Sequence, residues 1–180
     1  MKNKTIKKDK DLENIKEDLQ QEDYYDSDYI EKVSEKYSKL IGIFIIKFNE
    51  LEHELNRAIA KTFIDDDDSV GYRVIKLLNV SNKIELFYEI FLEITTSTDG
   101  KVEKLKKIKK KLDEARIFRN KLVHANWSTL TKEGYVRTKI ESNKENGAIQ
   151  LVKVKILPKT IKGFIDKVES LIIKIWEYSE

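Results

Sequence analysis

Apolar residues recur every three or four positions along most of this chain, the spacing that places them on one face of an α-helix. The first such stretch begins at about residue 28 and continues without a break, which predicts one long amphipathic helix. Its apolar positions are Ile30, Val33, Tyr37, Leu40, Phe44, Phe48, Leu51, Leu55 and Ile59. Four aspartates at 65–68 follow, and acidic residues favour the positive end of a helix, so this run is expected to cap the next one.

Further along the chain, the pattern predicts more helices and one hairpin. A short second helix carries the apolar residues Val70, Val74, Leu77 and Leu78. A third helix begins at Ser81, and a fourth runs from about residue 101 to 124. Alternating β-branched segments at 135–140 and 149–156, with turn-forming residues at 143–147 between them, predict a β-hairpin. Pro158 suits the first turn of a last helix. The expected fold is mainly α, an up-and-down helical bundle with a β-hairpin inserted before the C-terminal helix.

Composition narrows the class of protein. A chain of 180 residues with 40% apolar residues is long enough for one domain with a core. We assign residues 26–180 to that domain and expect the charge-dense residues 1–25 to form a flexible or partly helical arm. The lack of cysteine excludes a disulfide framework, a zinc finger and a thiol nucleophile, and it suits a reducing cytoplasm. No apolar run is long enough to span a membrane, so we expect no membrane partner.

The fourth helix carries an arginine where a helical wheel places apolar side chains. At about 100° per residue, Arg119 falls in the middle of the apolar face, with Asn120 and His124 at the edge of that face and Arg116 one turn earlier. The apolar neighbours within about 60° of Arg119 are Leu105, Ile108, Leu112, Ala115, Leu122 and Val123. A buried charge needs a partner. Glu52 lies in the apolar sector of the first helix and is a candidate for a bidentate pair with Arg119; a purely structural ion pair is the alternative.

The segment Arg119-Asn120-Lys121-Leu122-Val123-His124 matches the R-N-x-x-x-H form of the R-x(4–6)-H motif of the HEPN (higher eukaryotes and prokaryotes nucleotide-binding) superfamily. Residues 48–56 resemble the first long helix of such domains, and the resemblance covers roughly residues 28–178, although its specific part is the motif itself. It implies a metal-independent endoribonuclease that requires no cofactor and acts as a homodimer. Arg119, Asn120 and His124 would then be catalytic, with Glu52 and Arg116 supporting or orienting them. The hairpin departs from the minimal helical bundle of the superfamily.

The chemistry of these side chains fits such an activity. Cutting RNA without a metal requires a base for the 2′-hydroxyl, an acid for the leaving 5′-oxygen and a cation for the phosphorane. Histidine can do either proton transfer, and the planar guanidinium of Arg119 suits the phosphorane oxygens. Asn120 can position the phosphate or orient the imidazole. Because the motif holds a single histidine, His124, we expect a composite active site at a dimer interface and products with a 2′,3′-cyclic phosphate.

Several partners follow from these interpretations. Five lysines of the fourth helix could lead an RNA backbone to the site, although a solvated face of a lysine-rich chain explains them equally well. These are Lys106, Lys107, Lys109, Lys110 and Lys121. By resemblance, the chain is expected to be a toxin or an anti-phage defence effector, with an antitoxin or another regulatory protein as a partner. Two alternatives are a non-catalytic HEPN module that binds nucleotide or protein, and a plain helical dimerisation domain, which explains Arg119 worst.

Overall fold

The computed structural model describes residues 27–63, 69–95, 100–131, 133–142 and 149–178. Within these ranges the helices are α1 (Ser27–Ala60), α2 (Ser69–Ile75), α3 (Val80–Thr95), α4 (Lys101–His124) and α5 (Pro158–Trp176). A 3-10 helix (Trp127–Thr129) and strands β1 (Tyr135–Ser142) and β2 (Ile149–Lys155) lie between α4 and α5. The prediction of a mainly α fold with a hairpin before the C-terminal helix is confirmed.

The described chain divides into two compact units, both within the residues assigned above to one domain. The hairpin unit comprises the described residues of Met1–Leu40 and Lys121–Thr160, and the helical unit those of Ile41–Asn120 and Ile161–Glu180. The predicted arm at 1–25, the acidic run at 65–68 and the turn at 143–147 lie outside the described residues. None of the helices in the described ranges is both long enough and apolar enough to cross a membrane.

The core of the helical unit is built from the apolar positions that repeat every three or four residues. Phe118 of α4 ties three helices together, because its ring stacks on Phe164 of α5 with centroids 3.8 Å apart and meets Phe44 of α1 edge-on at 5.3 Å. Tyr178 packs against Phe87 and Phe91 of α3. The buried members are Phe44, Phe48, Leu51, Leu55, Ile59, Ile84, Phe87, Phe91, Leu105, Ile108, Leu112, Ala115, Phe118, Ile161, Ile165, Val168, Leu171 and Ile175.

The second helix is shorter than predicted. It ends at Ile75, and Leu77, which was expected on its apolar face, is 81% exposed in a turn. The cause is a cap that begins the next helix early: the side-chain oxygen of Asn79 accepts a hydrogen bond from the backbone N–H of Asn82 at 3.0 Å. An asparagine cap satisfies one of the free donors at a helix start, so α3 begins at Val80 instead of Ser81.

The hairpin unit holds the two-stranded antiparallel sheet, in which Tyr135 pairs with Lys155 at one end and Ser142 with Ile149 at the other. A bulge interrupts the register between Arg137 and Lys139. Behind the sheet, the buried hydroxyl of Tyr37 donates to the carbonyl oxygen of Ile156 at 3.0 Å, and the Tyr37 ring packs on Trp127 at 5.5 Å. These contacts attach the first turns of α1 to the hairpin.

The entry to the hairpin requires a glycine. Gly134 has a φ of 85°, in the left-handed region, and a Cβ there would lie 2.7 Å from Cδ2 of Leu157. Its N–H donates to the carbonyl oxygen of Thr131, and its own carbonyl accepts from Ile156. The backbone angle strains any residue that has a Cβ, and that Cβ would also lie 3.1 Å from the carbonyl oxygen of Ile156, so the position favours glycine.

Candidate functional site

Helix α4 carries the Arg119-Asn120-x-x-x-His124 motif in its last two turns. It is one continuous helix that contributes residues 101–120 to the helical unit and 121–124 to the hairpin unit. Its buried face includes Phe118, fixed by its ring contacts, while Val123, which was expected on that face, is 45% exposed. The buried face is therefore rotated away from the side that bears Asn120 and His124.

Arg119 is half-buried, although the wheel placed it in the middle of the buried face. Its Nη1 donates to Oδ1 of Asn120 at 3.3 Å. Among the described residues it has no carboxylate partner, whereas Arg57 pairs with Glu54 at 2.9 Å and Arg116 pairs with Asp113 at 3.2 Å. The guanidinium thus keeps its charge and most of its donors available for an anion.

The expected ion pair between Glu52 and Arg119 is wrong. Glu52 Oε1 instead accepts from Lys83 Nζ at 2.6 Å, and Lys83 is 7% exposed. A buried ammonium is costly without a partner, so the carboxylate is committed to it. The spacing of α3 contained a signal for this, because Lys83 lies three residues after Val80 and four before Phe87, inside an apolar stripe.

Asn120 and His124 are both exposed. The spacing of four residues stacks them on one face of α4. At about 100° per residue, Arg119 and His124 lie about 140° apart around the helix, with Asn120 between them. Asn120 is therefore the link in the motif, since it contacts Arg119 directly and shares a face with His124.

The segment after His124 ends the helix through Trp127. The indole N–H donates to the carbonyl oxygen of Leu122 at 2.9 Å, one of the carbonyls that an α-helix leaves free at its end. Asn126 then pairs with Arg137 of β1: the backbone N–H of Asn126 donates to the carbonyl oxygen of Arg137 at 2.8 Å. Trp127 is therefore a packed residue at the helix exit, and the hairpin holds the chain that leaves the motif.

The remaining predicted site residues lie elsewhere on α4. The two hydrogen bonds from Arg116 go to Asp113 of the same helix. Lys109 pairs with Glu85 of α3 at 2.8 Å, which raises the pKa of Lys109, and its ammonium lies over the ring of Tyr88. The other four lysines form no ion pair with the described residues: Lys106, Lys107, Lys110 and Lys121.

The structure brings together only some of the predicted site residues. Arg119 and Asn120 are in contact and His124 follows on the same helix, whereas Glu52 and Arg116 are engaged elsewhere. Within the described ranges, no three histidine, aspartate or glutamate side chains gather in a way that would hold a metal ion. Chemically, the motif offers a guanidinium that has no carboxylate partner among the described residues, an amide and an imidazole at the end of one helix.

Comparison of this chain with known protein families, with curated proteins and with solved structures gives no match in any of the three.

Proposed function

We propose that this chain is a metal-independent endoribonuclease of the HEPN type. The observation that supports the proposal best is the state of Arg119: a half-buried guanidinium that contacts Asn120 and has no carboxylate partner among the described residues, five residues before an exposed histidine. A permanent cation with free donors is suited to a phosphate oxygen.

Each motif residue has a role in this proposal. An imidazole of His124 takes the proton of the ribose 2′-hydroxyl, and the 2′-oxygen attacks the adjacent phosphorus. Arg119 stabilises the charge that develops on the phosphorane, and Asn120 fixes the guanidinium and the phosphate. The bond to the 5′-oxygen then breaks, and that oxygen leaves with a proton from a second acid. The products are a 2′,3′-cyclic phosphate and a 5′-hydroxyl.

The acid that protonates the leaving 5′-oxygen is proposed to be His124 of another copy of the chain. The motif contains one imidazole, and a two-fold axis supplies another without a second motif. We further propose, on the resemblance alone, a cytoplasmic toxin or defence effector that an antitoxin or another regulatory protein restrains.

Incubation of the purified chain with mixed RNA in EDTA tests the activity. His124→Ala and Arg119→Ala are expected to abolish cleavage, and Arg119→Lys to be poor, since a point charge lacks the planar fork of donors. His53→Ala is the matched control, because His53 is the other histidine of the chain and is also exposed.

Analysis of the cleavage ends completes the test. Ends that carry a 2′,3′-cyclic phosphate and a 5′-hydroxyl support the mechanism. Ends with a 5′-phosphate, or cleavage by the His124→Ala protein at the rate of the His53→Ala protein, would show that the assignment is wrong.

A further inference from the structure

A groove of about 400 Å³ lies between α3 and α4 of the helical unit. Three lysines of α4 line it, together with a tyrosine of α3, two carboxylates and one apolar side chain that is 45% exposed. These lining residues are Lys106, Lys109, Lys110, Tyr88, Asp113, Glu114 and Ile117. The groove is distinct from the Arg119-Asn120-x-x-x-His124 motif but belongs to the same helix.

The charge of the groove is positive because its carboxylates are already neutralised. Asp113 pairs with Arg116, and Glu114 accepts a hydrogen bond from Lys167 at 2.7 Å, which lowers the pKa of Glu114. Lys106 and Lys110 form no ion pair with the described residues, although the charge of Lys110 also helps to lower the pKa of Glu114. Two ammonium groups without an ion-pair partner therefore line this part of the surface.

Lys109, by contrast, is held in a fixed position. Glu85 binds its ammonium at 2.8 Å, and the ring of Tyr88 lies 5.2 Å from it. The ion pair and the cation–π contact orient the side chain along the groove wall.

Helical spacing connects the groove to the motif. Positions 106, 110, 113, 117 and 120 follow each other at alternating intervals of four and three, so they form one stripe along α4, and His124 is the next position. At about 1.5 Å per residue, Asp113 in the groove is about 10 Å along the helix axis from Asn120.

We propose that this groove binds the sugar–phosphate backbone of single-stranded RNA next to the cleavage motif. Lys106 and Lys110 contact phosphates, and Ile117 offers an apolar surface to an unstacked base. A groove of this volume has room for a short stretch of one strand. The choice of RNA as ligand rests on the proposed function; an acidic protein partner is an outcome of the test.

The test measures binding apart from cleavage. The probe is a fluorescein-labelled, single-stranded 2′-O-methyl oligoribonucleotide, which cannot be cut by 2′-hydroxyl attack, and binding is followed by anisotropy at several salt concentrations. The test variant is Lys106→Gln/Lys110→Gln. The matched control is Lys104→Gln/Lys111→Gln, which removes the same charge from exposed positions of α4 that do not line the groove.

The test variant is expected to bind about tenfold more weakly than the wild type. The slope of log K against log salt should fall by about 1.4, because each lost phosphate contact on a single strand removes about 0.7. The control should keep the wild-type slope. Circular dichroism checks that both variants are folded.

If both variants bind the oligonucleotide equally weakly, only overall charge matters, and the proposal that the groove binds RNA is wrong. If the wild type does not bind the oligonucleotide, the proposal that the groove binds RNA is wrong. It is also wrong if the wild type captures an acidic protein and does not bind the oligonucleotide. Cleavage in EDTA is scored separately. If only the test variant binds the oligonucleotide more weakly and the wild type does not cleave RNA, the groove proposal is supported and the nuclease proposal is wrong. If the wild type cleaves RNA and both variants bind equally weakly, the nuclease proposal is supported and the groove proposal is wrong.

Discussion

The ammonium of Lys83 lies in an almost fully buried position, where the carboxylate of Glu52 binds it at 2.6 Å. A second ion pair, between Lys47 and Glu50 of α1, is more exposed to solvent: 32% and 49% of these side chains are exposed. Water screens an exposed pair and solvates either partner alone, whereas a buried ammonium that loses its carboxylate has no replacement. The two pairs should therefore differ in what they contribute to stability.

Glu52→Ala is expected to lower the free energy of unfolding by about 1–3 kcal/mol, because it leaves Lys83 buried without its acceptor. Glu50→Ala, the control on the same helix, should cost less than about 1 kcal/mol. The double variant Glu52→Leu/Lys83→Met should recover most of the loss, since apolar side chains of similar size suit the site. Urea denaturation measures all three, and equal losses for the two single variants would contradict the role of burial.

The sequence placed Glu52 in an apolar sector correctly but gave it the wrong partner. A helical wheel gives the direction of a side chain on its own helix and does not say which neighbouring helix it meets. Arg119 shows the same limit, since its long side chain extends from a buried-face position to Asn120 on the outer side. Identity and spacing of the motif residues were predictable, and the contacts that their charges make were not.

At the scale of elements, the boundaries of α4 and the two strands agree closely with the predicted ones. The rotation of α4 was not predictable from the wheel, which placed Val123 within about 60° of the centre of the apolar face and left Phe118 outside that set. Phe118 is nevertheless buried, because it packs against Phe44 and Phe164, whereas Val123 is exposed. The end of α2 was missed for a related reason, since the Asn79 cap competes with continued helix. The local hydrophobic pattern thus predicts where helices and strands occur. Packing and capping contacts with neighbouring residues decide which face of a helix is buried and where the helix ends.

Two helical glycines should respond in opposite ways to alanine. Gly42 of α1 is exposed, and a Cβ there would meet nothing within 4 Å. Gly42→Ala is therefore expected to stabilise the protein by about 0.5–1 kcal/mol through helix propensity. Gly71 of α2 is buried, and its Cβ would lie 2.7 Å from Cα of Ala60, which is backbone and cannot turn aside.

Gly71→Ala should therefore lower the melting temperature while Gly42→Ala raises it. Thermal denaturation of the two variants beside the wild type measures both. A stabilising Gly71→Ala would mean that α2 does not approach the end of α1 as closely as described.

At the scale of the whole molecule, the proposed composite site makes activity a property of pairs of chains. If two His124 side chains serve one site, a dimer that contains one His124→Ala chain should be inactive. Equimolar wild-type and His124→Ala protein, mixed and allowed to exchange subunits, should leave about a quarter of the dimers fully wild-type. Cleavage per wild-type chain should then fall to about half.

His53→Ala protein added in the same way is the control and should not reduce cleavage. Light scattering should give twice the mass of one chain at the concentration of the assay. Undiminished cleavage per wild-type chain in the mixture, or full activity of a monomer, would show that one His124 acts with water as the second proton carrier.

The glycine at the hairpin entry has a consequence for tracing the ancestry of this chain. Because the left-handed backbone angle of Gly134 favours glycine, this residue should resist replacement for as long as the hairpin persists. Gly134 lies ten residues after His124. A sequence pattern can therefore combine the arginine, asparagine and histidine of the motif with a glycine at that distance, which marks the hairpin. Diverged sequences that keep both would be recognisable as descendants of one hairpin-bearing lineage even when their helices have changed beyond alignment.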